Sequence, residues 1–262
     1  MGSSSLAMSS NNLNLSNVQI NFDLNSQKNL RVTIDTPHLL IRSVQTTDLD
    51  SYTALYGDKE VMCKFADGNT KSREDLQKRI NEAWVKRWNT NDPYNGLAVF
   101  TKDTAEFVGH VVLGHGDLPG ESEVAILTMK KFWNKGYGSE AMTALVRHYA
   151  PLTLEKGYLV DGKPLAIIRA TARPDNQASC KILQKIGFVH QTTEEKYGAI
   201  RHHFSLAMEA LNPIPAPFIP APILASTTAN VNSSMKLRSG TIVKYRADLA
   251  QGHYYSSRAK YC

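Results

Sequence analysis

The stretch KKFWNKGYGSEAM (residues 130–142) carries two glycines, Gly136 and Gly138, two positions apart and just ahead of a helical pattern. A strand-like run, SEVAILTM (122–129), leads into it. The first N–H groups of a helix have no internal acceptor and sit at the positive end of its dipole. Glycines let such a backbone approach an anion closely, so strand, glycine turn and helix in succession make a phosphate seat. The stretch is not a P-loop, because no G-K-[ST] follows. Nor is it a dinucleotide fingerprint, because the third glycine and the βαβ context are missing. Alone, the glycine pair fits a plain loop before a helix equally well.

A second stretch changes that balance. In ARPDNQASCKILQKIGFV (172–189), Asn176 stands at a helix start, Ser179 lies in its first turn, and Gly187 closes the helix before Phe188. The two stretches together, in this order and some 40 residues apart, resemble the GNAT superfamily of acyl-CoA-dependent N-acetyltransferases, and more closely its RimJ/RimL-like branch. The segment TPHLLIRSVQTTDLDSYTALYGDKEVM (36–62) agrees, with Thr36, Leu39, Arg42 and Asp48 at matching places, as does Glu123 in the strand before the glycine turn. The resemblance covers roughly residues 31–209. It implies an α/β GNAT fold, a mixed central sheet with two splayed parallel strands flanked by helices.

The resemblance also implies acetyl-CoA as co-substrate and an amine as acceptor, attacked directly in a ternary complex. The backbone of Asn134, Lys135, Gly136, Tyr137, Gly138 and Ser139 would cradle the pyrophosphate, with Lys135 or Lys131 reaching phosphates. The strand end at Ile126, Leu127, Thr128 and Met129 would bond the pantetheine arm like an added strand. Asn176 would hold the pantetheine or a water, and Ser179 would lie near the thioester sulfur. Three positions depart from the family pattern: Trp133 stands where the superfamily has Gln or Arg, a change the branch tolerates, Asn134 where the branch usually has glycine, and Leu183 where other members place a tyrosine acid.

Acetyl transfer needs a neutral amine, an oxyanion donor and a thiolate leaving group. Glu123, inside an apolar strand, is the candidate base, with partial burial expected to raise its pKa; a surface carboxylate making a salt link is the plainer alternative. A backbone N–H near Leu127 or Thr128 is the expected oxyanion donor. Ser179 is the candidate hydrogen-bond donor to the thiolate, or else a hydroxyl facing its own helix. Tyr197 reads as a solvated loop tyrosine, with a donor role as its alternative. His110, His115, His202 and His203 show no metal-ligand spacing, so no metal is expected. Cys180 reads as a buried, inert thiol, and Trp84 and Trp88 as core residues.

Outside the domain, composition is the guide. Residues 1–30 are rich in Asn and Ser and read as a disordered polar leader. The domain is expected over 31–210, opening with a strand at 38–44 and a helix capped by Thr47. An amphipathic helix at 72–88, a three-stranded meander over 96–129, and a strand at 164–172 follow, and the domain ends in two further strands. Pro213, Pro215, Pro217, Pro220 and Pro222 mark an extended linker over 211–230. The tail, 231–262, carries Lys236, Arg238, Lys244, Arg246, Arg258 and Lys260 against Asp248, hence +5 of the chain's +6. Its basic residues alternate with tyrosines, which could bind RNA or an anionic surface, although a solvated extension is favoured and no nucleic-acid module appears.

No apolar run is long enough to cross a bilayer, so no membrane partner is expected. The three dispersed cysteines favour a reducing compartment and a cytoplasmic location. A protein N-terminal amine leads as acceptor, by the RimJ/RimL resemblance, with small-molecule amines behind it. A CoA-binding regulatory module without catalysis is the reading from another class.

Overall fold

A computed structural model describes residues 17–211. The expected linker and tail lie outside the described residues. The chain forms strands β1 (Gln19–Leu24), β2 (Leu30–Asp35), β3 (Leu39–Ser43), β4 (Gly96–Thr101), β5 (Phe107–His115), β6 (Glu121–Thr128), β7 (Leu159–Val160), β8 (Lys163–Pro164), β9 (Ile167–Ala172), β10 (Val189–Lys196) and β11 (Ala199–Ala207). Strands β7 and β8 make a two-residue ribbon. The other nine form one sheet in the order β1-β2-β3-β4-β5-β6-β9-β11-β10. Every neighbouring pair is antiparallel except β6 and β9, which run parallel.

The polar leader is shorter than its composition suggests. Ile20, Phe22 and Leu24 alternate with polar residues in β1, which pairs along its length with β2. Phe22 stacks on Tyr149 and Tyr158, with ring centroids 5.6 and 5.8 Å away. Thr47 is not the cap of the first helix, as expected, but lies in a single 3-10 turn, Thr46–Asp48, ahead of α1 (Leu49–Gly57). Asp48 does the local work instead. It accepts the Gln45 N–H at 2.8 Å and takes a two-pronged ion pair from Arg42 at 2.9 and 2.7 Å.

One sheet face is covered by α1, α2 (Lys59–Met62), α3 (Arg73–Arg79) and α4 (Lys86–Asn89), the last two joined by a π-helical stretch, Ile80–Val85. Trp84 is fully buried there and Trp88 is buried in the main core, both as core residues. His110 meets the rings of Tyr52 and Trp84 edge to face in this layer, and Tyr56 stacks on Tyr52. Burial and the charge of Arg79 hold His110 well below the ordinary histidine pKa, so it stays neutral, bonded through Nδ1 to the Tyr56 hydroxyl at 2.9 Å.

The other face carries α5 (Tyr137–Thr143), a π-helical stretch (Ala144–Tyr149) and α6 (Ala150–Glu155) as one helix, with α7 (Gln177–Ile186) beside it. Leu145, Val146, Leu183 and Ile186 join Ile168, Ala170 and Ala172 of β9 in the main core. Gly187, at φ +108°, ends α7 in the left-handed conformation that closes helices.

Two polar contacts fix the helix that matters for the site. Glu140, in the first turn of α5, is buried and accepts from the Thr36 hydroxyl at 2.6 Å and the His38 N–H at 2.8 Å. It thereby ties α5 to the β2–β3 turn. At the far end of β5, His115 lies between Asp92 (2.7 Å) and Asp161 (2.9 Å), linking three separate segments. Burial opposes its charge, as does Arg87, but the bond and charge of Asp92, with the Asp161 bond, outweigh both and raise its pKa.

Replacing Glu140 with alanine removes the acceptor of the part-buried His38 N–H and one acceptor of the buried Thr36 hydroxyl, and is expected to cost about 1–3 kcal/mol, read as a lower urea midpoint. For His115 the folded pKa stands above the ordinary value of about 6.5. Its contribution to stability is therefore complete below that value and lost as pH rises through the raised one. Urea midpoints across neutral pH should show this decline for the natural chain and not for His115→Gln.

Candidate functional site

Strand β6 pairs with β5 from Ser122 to Thr128, but with β9 only at Glu121–Ile167, Ser122–Ile168 and Glu123–Arg169. Beyond Glu123 the two parallel strands separate, as the expected splay requires. The ladder with β5 runs from the Gly116 N–H on the Glu121 carbonyl to the Met129 N–H on the Val108 carbonyl. Antiparallel bonding alternates along the strand. Odd-numbered residues of β6 therefore face β5, and Ile126 and Thr128 turn their peptide groups to the open side.

This sorts the expected cofactor residues. Leu127, in register with His110, and Met129 spend their peptide N–H groups toward β5, so the expected oxyanion donor narrows from two residues to Thr128. The Thr128 carbonyl is occupied by the indole N–H of Trp133 at 3.0 Å. What remains open at this edge is the Ile126 peptide and the Thr128 N–H.

The glycine turn follows directly. Asn134 (φ +61°) and Gly136 (φ +86°) are both left-handed, a conformation asparagine and glycine tolerate best. They reverse the chain so that α5 starts at Tyr137 over the end of β6. A side chain placed at Gly138 would meet Ile126, Ile182 and Thr128 at 3.5 to 4.0 Å, whereas one at Gly136 would meet nothing within 4 Å. The helix's own ladder begins with the Glu140 N–H on the Gly136 carbonyl. Ahead of it, the N–H groups of Tyr137, Gly138 and Ser139 have no acceptor among the described residues. The cradle is a left-handed turn, open space and three aligned donors, which fits an anionic phosphate group. Lys131 is paired with Glu106 at 3.0 Å, while Lys135 carries no ion pair among the described residues.

Asn176 caps α7, accepting the Ser179 N–H at 3.3 Å. The Ser179 hydroxyl has no bond among the described residues. Cys180 next to it is buried, and burial pushes its thiol pKa up, as an inert thiol requires. Leu183 is core.

The opposite face of the gap holds Glu123. Of the two surroundings expected for it, the structure gives the plainer one, a carboxylate making a salt link. The carboxylate is half-buried and takes Lys196 Nζ at 3.1 and 3.3 Å, with the Tyr197 hydroxyl at 3.5 Å from Oε1. Lys196 and Tyr197 stand at the tip of the β10–β11 hairpin, where Tyr197 (φ +59°) and Gly198 (φ +73°) form the two-residue turn. Tyr197 is thus partly buried beside Glu123 rather than a solvated loop tyrosine. Arg201, buried, reaches from β11 across the Thr171 hydroxyl (3.0 Å) to the Ala66 carbonyl (3.2 Å).

The segment after α1 crosses the mouth of the gap. Glu60 is paired with Lys130 beyond β6, Lys64 Nζ donates to the Asp175 carbonyl at 2.8 Å, and Arg173 donates to the Cys63 carbonyl at 3.5 Å. Both splayed strands are therefore roofed by one piece of chain. Sequence reasoning missed Lys196, Arg201 and this roof, since their partners lie far away in the chain. Only the Tyr-Gly turn signal at 197–198 pointed to a hairpin tip. Among the described residues, no group of three or more His, Cys, Asp or Glu could hold a metal ion.

Comparison with known proteins falls on this same region. The profile of the acetyltransferase (GNAT) domain matches residues 38–189, more than half of the chain. A relative from Bacillus subtilis (strain 168), an uncharacterized N-acetyltransferase YnaD, is 26% identical over 155 residues, 59% of this chain and 81% of that one. Similar solved structures include a GNAT-family acetyltransferase of Bacillus anthracis, 21% identical with a TM-score of 0.54, covering 67% of this chain and 98% of that one. Another is RimL, a ribosomal L7/L12 alpha-N-protein acetyltransferase in complex with coenzyme A, at 16% identity and a TM-score of 0.53, covering 66% and 96%. Splayed strands, glycine turn and profile match coincide, and the chain belongs to the GNAT family of acetyltransferases, enzymes that use acetyl-CoA.

Proposed function

We propose that the chain moves the acetyl group of acetyl-CoA to a protein N-terminal amine, by direct attack with both substrates bound. The observation that carries the reading is the pairing of β6 and β9, which stops at Glu123 and leaves the Ile126 and Thr128 peptide groups facing an open slot. In this reading the turn Asn134–Ser139 and Lys135 hold the pyrophosphate on the α5 face. The Ile126 peptide bonds the pantetheine amides, and the Thr128 N–H receives the carbonyl oxygen as it gains charge. Asn176 fixes the first turn of α7, so that the Ser179 hydroxyl stands ready to donate to the departing thiolate.

Glu123 works from the opposite face. An α-amine has a pKa of about 8, so near neutral pH much of it must lose a proton before attacking. Glu123 takes that proton directly or through a water, once the acceptor's amine replaces Lys196 beside it. Its register on β6, at the last paired residue, sets it at the base of the slot. The N-terminal acceptor is supported by the likeness to RimL, named for acting on a ribosomal protein's α-amine. The roof formed by residues 60–66 would leave a narrow entry suited to a chain end. The cytoplasm, where ribosomal proteins and acetyl-CoA meet, is the proposed location.

Calorimetric titration of the full chain should give micromolar acetyl-CoA affinity. Gly136→Glu should abolish it, because the new carboxylate would stand in the phosphate cradle at a left-handed position. Glu123→Gln should retain the affinity while turnover falls by about 10²–10⁴-fold. A panel of short peptides with free or blocked N-termini, beside small amines, tests the acceptor. Turnover confined to free α-amines of peptides is expected; equal turnover of small amines would remove the N-terminal assignment.

A further inference from the structure

Lys196 has no part in the chemistry proposed above, yet its amine lies where that chemistry needs one. Its Nζ is 3.1 and 3.3 Å from the two oxygens of Glu123, and its side chain is only 23% exposed. The ring of Tyr197, centred 5.1 Å away, holds the ammonium from another side. Fixing a lysine side chain forfeits much of its rotamer freedom, so a half-buried lysine tied at its tip is a constrained group. The turn behind it is constrained too. Tyr197 is left-handed, an uncommon state for a bulky residue, and such strain persists where surrounding structure demands a position.

The direction of approach is also fixed. On β6, Ile126 and Thr128 point their side chains at Gly138 of α5, so the even-numbered face belongs to the glycine turn. Glu123 and Leu127 point the other way, toward the face where His110, in register with Leu127, meets Tyr56 of α1. Lys196 reaches Glu123 on that second face. Its amine and the glycine cradle thus stand on opposite sides of one slot, the arrangement for attack on a thioester lying between them. Other lysines around the roof are different. Lys64 and Lys130 pair with Asp175 and Glu60, whose side chains are 55% and 62% exposed.

We propose that Lys196 is an acetyl acceptor in its own right, modified in cis by the enzyme that carries it. The proposal rests on the reading of Glu123 as the base. Glu123 takes a proton from Lys196 Nζ, and the neutral amine forms an N–C bond to the acetyl carbonyl carbon of acetyl-CoA. The C–S bond breaks as the nitrogen gives up its second proton to the departing sulfur, and the proton held by Glu123 is released to solvent. The products are N-acetyl-lysine at 196 and coenzyme A thiol, with nothing oxidised or reduced. Acetylation removes the charge that binds Lys196 to Glu123, so the modified side chain leaves the carboxylate open to an acceptor from solution.

The test incubates the full chain with isotopically heavy acetyl-CoA and locates acetyl groups by peptide mass, with calorimetric acetyl-CoA binding measured on the same samples. The expected result is one dominant acetylated site, Lys196, after which trypsin no longer cuts. It should form at a first-order rate that does not change on dilution of the protein. Glu123→Gln should bind acetyl-CoA normally and lose the mark, and Lys196→Arg should bind normally and carry none. Binding without acetyl on Lys196 overturns the proposal alone. So does a mark that survives Glu123→Gln, or a rate that rises with protein concentration. Failure of the natural chain to bind acetyl-CoA would overturn the proposal and the reading of the slot together.

Discussion

Strand β6 has a partner along its whole length on one side and for only three residues on the other. Backbone donors and acceptors turned inward need partners, and inside a sheet another strand normally supplies them. Here β9 veers off with its own helix, α7, while β6 keeps the start of α5 over its end. Ile126, Ile182 and Gly138 meet in the wedge between them. The slot is therefore a vacancy in a hydrogen-bonding pattern as well as a space. In the proposed function an extended molecule with amides at suitable intervals would complete it, with its anionic end at the three helix donors where the strand stops.

That arrangement asks for rigidity in the helix, because donors that wander bind anions poorly. Glu140 supplies it. Its carboxylate favours the positive end of the helix, and its bonds to Thr36 and His38 attach that end to strands three places away in the sheet. On the opposite face rigidity comes from the roof, whose ion pairs reach both splayed strands. Among the described residues, the α5 face and the Glu123 face of the slot are thus held by separate sets of contacts on either side of the sheet.

Local signals were readable in the sequence. The glycine turn, the Asn176 cap, the Gly187 helix end and the three-stranded meander each depend on neighbours within a few residues, and each lies where the pattern placed it. Composition misled at the N-terminus, where Asn and Ser masked the alternation of Ile20, Phe22 and Leu24. At the first helix, a good capping residue, Thr47, lost to Asp48, because Arg42 on β3 gives Asp48 a charge partner that no local pattern reveals. A salt link at Glu123 was one of the legible readings, but its partner was not. Lys196 is 73 residues away in the chain, and such pairs leave no periodic trace. Likewise, which of Leu127 and Thr128 faces the slot is a matter of register with β5, fixed by pairing rather than by residue type.

Among the described residues, strand β10 ends the sheet with one edge unpaired and almost every residue exposed. Such an edge invites another chain to add itself, and an uninterrupted run of Val, Thr and Ile there would be a route to aggregation. This strand is broken by a bulge between His190 and Thr192 and closes on Glu194, Glu195 and Lys196. Clustered charge and a local twist make edge-to-edge stacking unfavourable. The residues that end the hairpin thus protect the solubility of the whole sheet, so substitutions there act on the fate of the protein at high concentration as well as on its chemistry.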